Sequence, residues 1–167
     1  LDGADTMIKL HNFYCNRQND SSPNYLEKFS ELGTTPKNPV IFVLDNELES
    51  EKPLKKLIRN VGLHKESSKF DSFKKKFHTN IESNLYLSTH QLVNGLPECE
   101  IEDLFDDNTL NTVIRGKTFE RDSKIYSDKK NYGKAIFADY ISRNYRNIDF
   151  KEFQPLLNNI NEIITTY

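Results

Sequence analysis

The chain has 167 residues, 36% hydrophobic and 29% charged, with eleven Phe, eight Tyr and no Trp. That size suits a single domain over residues 1–167 with a real core, and the net charge of −2 excludes a global field for nucleic acid, so any such contact must use a local patch. No run reaches the ~18 apolar residues of a membrane-spanning helix, and the two cysteines, Cys15 and Cys99, fit no metal-ligand spacing. They favour a reducing cytoplasm, with a single disulfide between them left open.

Leu1-Asp2-Gly3-Ala4-Asp5 has no initiator Met and reads as a turn leaving a strand. The expectation is a piece of a longer protein, with earlier elements upstream. Residues 4–16 carry Met7, Ile8, Leu10, Phe13 and Tyr14 near the spacing of a buried helical stripe, with Asp5 or Thr6 as cap. Residues 19–24 are a polar break. A short helix over 25–32 follows, stopped by Gly33.

The segment Asn38–Glu47 is the most informative stretch. A short β-branched apolar run, 39–44, ends in Asp45 and Glu47, two carboxylates two positions apart. Strands buried on both faces read this way and belong to parallel sheets covered by helices. Ligands in such sheets sit beyond the carboxyl ends of the strands. Two acids aimed at one crevice repel each other unless a cation lies between them, and magnesium, held by one or two carboxylates plus water, suits that role. An ordinary strand followed by an Asp-Asn turn is equally consistent with this segment alone.

Pro53 stands at the first position of a helix continued by Leu54, Leu57, Ile58 and Val61. Over 65–79, Phe70, Phe73 and Phe77 recur at helical spacing among Lys65, Lys69, Lys74, Lys75 and Lys76. The plain reading is a solvated lysine face; the sharper one is a phosphate-facing patch of Lys69, Lys74, Lys75 and Lys76. Residues 84–90 read as the next strand, and 94–107 as a turn with an acidic short helix. Thr109–Ile114 has helical character. A helix is expected over 129–143, and Asp149 with Glu152 makes a capping-box pattern. The last helix restarts near Pro155, because proline in a helix interior costs about 3 kcal/mol. Helices interleaved with few buried strands make an α/β layer fold.

Three acidic clusters compete for a metal: Asp45 with Glu47; Glu98, Glu100, Glu102 and Asp103; and Asp106 with Asp107, which suits a solvated helix end. In a parallel sheet the first two clusters would open on one edge. Carboxylates meeting there would bind one or two magnesium ions suited to phosphodiester chemistry. Lys134, after Gly133, could neutralise charge in such a reaction, or be a surface lysine. Among the four histidines, which show no ligand spacing, His90 alone ends a strand on the presumed active edge.

These residues resemble a family. Asn38–Glu47, ending in Asp45-Asn46-Glu47, resembles the second acidic motif of Toprim domains, usually written DxD, with Glu47 where the family more often has Asp. Pro97–Phe105, with Glu100-Ile101-Glu102-Asp103, looks like the acidic helix of Toprim nucleases of the overcoming-lysogenization-defect type. Tyr132–Ala138 resembles the segment with their late lysine, and Gly3-Ala4-Asp5-Thr6 the glycine turn after their second strand. The phrasing is most similar to the C-terminal Toprim domain of retron reverse transcriptase fusions, over essentially the whole chain.

The resemblance implies a Toprim (Rossmann-like) parallel sheet flanked by helices, whose first strand and its acid–base glutamate lie upstream of Leu1. It also implies a nuclease-type effector using Mg2+ or Mn2+ at Asp45, Glu47, Glu100, Glu102 and Asp103, with Lys134 catalytic. Its setting would be the bacterial cytoplasm, in defence against phage, with no membrane. Partners would be DNA or RNA, the reverse transcriptase region and its small RNA-linked DNA (msDNA), and further copies of the chain. The alternative is a non-catalytic module that docks msDNA or sister subunits.

Overall fold

The computed structural model describes residues 3–15, 24–49 and 51–167. The polar break expected over 19–24 lies outside them except for Asn24. The chain is mixed α/β, with helices and small sheets, and divides into two compact units: residues 1–101 with 153–167, and residues 102–152.

In the first unit, helices α1 (Gly3–Cys15), α2 (Tyr25–Glu31), α3 (Pro53–Asn60), α4 (Ser67–Lys76) and, at the end of the chain, α7 (Gln154–Thr166) surround strands β1 (Val40–Leu44), β2 (His78–Glu82) and β3 (Leu85–Thr89). The order across the sheet is β1-β3-β2. β1 and β3 run parallel, Val40 facing Leu85 and Leu44 facing Thr89, whereas β2 joins β3 antiparallel through a tight hairpin. The sheet is therefore mixed. Phe42, Leu85 and Leu87 bury one face against Met7 of α1, Leu54, Leu57 and Ile58 of α3 and Phe73 of α4. On the other face α7 packs on β3, where the Tyr167 ring meets Tyr86 edge-on at 6.3 Å.

Local chemistry explains most boundaries. Asn24 caps α2 by accepting the Glu27 N–H at 3.2 Å, and Gly33 supplies the positive φ just past its end. Pro53 occupies the first turn of α3, where no N–H is needed. α1 begins at Gly3, so Asp5 and Thr6 lie inside its first turn and not at the cap. α4 stops at Phe77, a left-handed residue with φ 60°, and the chain turns at once into β2. Asp149 accepts the Lys151 N–H at 2.9 Å, just ahead of the 3₁₀ turn Lys151–Phe153.

The second unit holds α5 (Asp107–Leu110), the two-residue parallel pair β4 (Thr118–Phe119) and β5 (Asn131–Tyr132), and α6 (Lys134–Asn144). The helix expected from residue 129 starts only at Lys134, because Asn131 and Tyr132 pair with β4. Phe119 stacks on Phe137 at 4.3 Å, and Phe105 meets Phe137 edge-on at 5.3 Å. Tyr132, 1% exposed, donates its hydroxyl to the Thr112 carbonyl at 2.7 Å, and burial pushes its phenol above the ordinary value.

Candidate functional site

The parallel pairing of β1 with β3 fixes the site, because two strands running the same way deliver their carboxyl ends to one edge. Leu44 lies beside Thr89, whose hydroxyl donates to the Leu44 carbonyl at 2.8 Å. The next residues, Asp45 and His90, therefore leave the sheet side by side.

Asn46, 3% exposed, is the joint of this edge. Its side-chain amide donates to the His90 carbonyl at 2.8 Å, its N–H approaches His90 Nε2 at 3.4 Å, and its carbonyl accepts the Cys99 N–H at 3.0 Å. His90 is fully buried, with Nδ1 2.9 Å from the Gln91 carbonyl. A carbonyl only accepts, so Nδ1 carries the proton and Nε2 is free to accept from Asn46. Nε2 also lies 4.0 Å from Asp45 Oδ1. The ring therefore braces the turn that aims Asp45.

The Asn46–Cys99 bridge brings the segment after β3 back to the same edge. Asp45 Oδ1 accepts the Ile101 N–H at 2.9 Å, and Glu100, the preceding residue, adds its negative field to Glu47. The Glu47 side chain is 10% exposed and holds Lys52 at 3.1 Å. Burial raises the Glu47 pKa; the Lys52 ammonium opposes that shift, while Asp45 and Glu100 reinforce it. Lys52 answers in kind, its ammonium held above the usual lysine value chiefly by Glu47, with Glu100 and Glu98 adding. The edge is thus an acidic locus that already attracts one cation.

Among the described residues no group of three His, Cys, Asp or Glu side chains is arranged to hold a metal unaided. Magnesium sets a lower requirement, keeping several waters and taking one or two carboxylates. Asp45 and Glu47 meet that count, with Glu100 in their field.

The remaining acids of the expected set, Glu102 and Asp103, belong to the second unit, and each holds a cation there. Lys134 Nζ lies 3.1 Å from Glu102, and Arg121 lies 2.6 Å from Asp103; both carboxylates are 11% exposed. Lys134 opens α6 directly after Gly133, with its side chain half exposed. Lys52, Asn46 and Arg121 were not singled out from sequence. Asn46 sits between two flagged acids, and an apolar strand end followed by a buried amide was the available signal; nothing in the sequence pairs Lys52 or Arg121 with its acid.

The lysine helix does not present one basic face. At about 100° per residue, Lys69 and Lys76 flank the Phe70/Phe73 side of α4 at one border, Lys74 flanks it at the other, and Lys75 points away. Lys74 pairs with Asp71 at 2.8 Å and Lys69 with Glu66 at 3.8 Å. No family model matches the chain, and no solved structure matches it significantly.

Proposed function

We propose that the chain is a Toprim-type effector domain that cleaves phosphodiester bonds in DNA or RNA with magnesium or manganese, working as part of a retron reverse transcriptase fusion in bacterial phage defence. The observation that carries this reading is the pair of carboxylates, Asp45 and Glu47, at the end of a strand parallel to its neighbour, in a field that favours a cation. In this reading Asp45 and Glu47 hold the metal and Glu100 deepens its well. The metal, when bound, supplies an activated water and a charge sink for the leaving oxygen. Asn46 and His90 hold Asp45 in register and keep water from the buried side of the turn. Lys52 yields the Glu47 carboxylate to the stronger divalent charge. Within the second unit, Glu102 and Asp103 are open to a metal only once Lys134 and Arg121 let go of them, and Lys134, so released, is open to an anionic substrate oxygen. The acid–base glutamate of the family comes, in this reading, from a further strand. The outer edge of β1 suits one, because it opens on a groove of about 620 Å³ lined by Met7, Leu10, Phe42, Pro53 and Ile101.

Incubation with single- and double-stranded DNA and RNA tests the proposal. Magnesium-dependent cleavage that Asp45→Ala abolishes is expected, and cleavage surviving that substitution rejects it.

A second reading, a non-catalytic module that docks nucleic acid or sister subunits, is favoured by one observation: Glu47, Glu102 and Asp103 each already hold a protein cation. It predicts salt-sensitive binding without any metal requirement, lost on charge reversal of Lys74, Lys75 and Lys76. Normal binding and assembly by that variant would remove it.

A further inference from the structure

A second concavity of the first unit, of about 390 Å³, combines positive charge with an apolar wall. α3 supplies Lys55 and Arg59 one turn apart, the 3₁₀ turn Leu63–Lys65 supplies His64, and α4 supplies Lys74, over a floor of Ile58 and Phe70. These groups come from three successive elements, so the pocket is a product of folding and not of a local charge run.

The charge state of its wall matters more than the number of cations. Lys55 and Arg59 share a single carboxylate, Glu51, at 3.5 and 2.6 Å, and Lys55 also donates to the Glu49 carbonyl at 2.8 Å. Glu51 is 58% exposed and Asp71, the partner of Lys74, is 62% exposed. Ion pairs that open to water contribute little to stability, so an incoming dianion displaces Glu51 at little cost. The Lys74 ammonium lies 4.9 Å from the centre of the Phe70 ring, so a cation and an aromatic face already meet on this wall. A ligand that satisfies both parts is anionic at one end and flat and apolar at the other. Inorganic phosphate satisfies only the first part.

We propose that this pocket binds a nucleoside phosphate, its phosphate on Lys55 and Arg59 in the position Glu51 now takes and its base against Phe70 and Ile58. The ligand is either a free mononucleotide or one nucleotide of a strand. The proposal goes beyond metal-dependent cleavage and does not require it: Leu48 and Glu49, which also line the pocket, simply continue the chain from the acidic edge at Asp45 and Glu47.

The test is a fluorescence-anisotropy titration of the whole chain in chelator, with a labelled adenosine monophosphate in one arm and a labelled single-stranded oligonucleotide in the other. Saturation in the first arm identifies the free nucleotide as a ligand; saturation in the second alone identifies the strand. Arg59→Glu combined with Lys55→Glu is expected to weaken binding at least about tenfold, the loss typical of two charge-assisted contacts. Glu51→Gln, an exposed substitution with little risk to folding, is expected to tighten binding about threefold by removing the resident carboxylate. Lys37→Glu, at an exposed lysine of the same unit outside this pocket, is expected to leave it unchanged. Unchanged or weakened binding by Glu51→Gln overturns the proposal. So does equal weakening by Lys37→Glu, competition by inorganic phosphate as strong as by nucleotide, or no saturable binding in either arm. Because metal is absent throughout, these outcomes are independent of whether the acidic edge cleaves anything.

Discussion

Glu47→Gln separates a structural carboxylate from one kept for a cation. The Glu47 side chain is 10% exposed, and its carboxyl is pushed above the ordinary value first by burial and then by Asp45 and Glu100, with Lys52 only partly offsetting them. Lys52 is 48% exposed and regains water freely once its partner is neutral. The lost bridge is therefore worth about 0–1 kcal/mol, while the substitution relieves a desolvated charge that faces two like charges. The account expects the variant to be more stable at pH 7, by about 1 kcal/mol, or roughly 2–4 °C in Tm for a chain of this size. The sign with pH follows from linkage. A carboxyl whose folded pKa lies above its unfolded value contributes stability that is complete below the unfolded value and is lost as pH rises through the folded one. Thermal melts should thus coincide near pH 4 and diverge in favour of Glu47→Gln toward neutrality. Adding magnesium at about 100 times its Kd should raise wild-type stability by about 2.7 kcal/mol and the variant by far less. A variant that melts below wild type at pH 7, and still does so at pH 4, would show that Glu47 serves packing and refute the reasoning.

His90→Ala removes a fully buried ring and the acceptor for the Asn46 N–H; a loss of about 2–4 kcal/mol is expected by chemical denaturation, and a loss below about 0.5 kcal/mol would deny it a bracing role. Lys134→Met leaves the Glu102 carboxylate, 11% exposed, without its ammonium; about 1–2 kcal/mol should be lost and largely regained on adding Glu102→Gln, a recovery whose absence would mean the pair is not coupled. Gly62→Ala meets open space but keeps φ at 77°, so about 1 kcal/mol of left-handed strain should appear in the melting curve, with an unchanged Tm contradicting that geometry.

The sequence disclosed the elements whose local chemistry and tertiary role agree. β1 announced itself as a β-branched run ending in Asp45, and α3 through Pro53 ahead of Leu54, Leu57 and Ile58. β2 stayed hidden because His78-Thr79-Asn80-Ile81-Glu82 is mostly polar and half-buried throughout. Phe77 also continues the spacing of Phe70 and Phe73, while its left-handed φ is unusual for an aromatic residue. The two-residue pair of β4 and β5 is too short to carry any periodicity, so the residues before α6 read as helix. At the site, the acids were visible as charges after apolar strands. Their cations were not: Lys52 reaches Glu47 from the residue before α3, and Arg121 reaches Asp103 across 18 positions, pairings that only the folded backbone creates.

Manganese binding read residue by residue tests the central claim most directly. In an isotope-labelled sample of this 19.5 kDa chain, substoichiometric Mn2+ should selectively broaden the amide signals around Asp45, Asn46, Glu47 and Glu100, and excess Mg2+ should reverse it. Broadening that spares those four residues, or that persists undiminished in Asp45→Ala, would contradict a divalent cation at the end of β1.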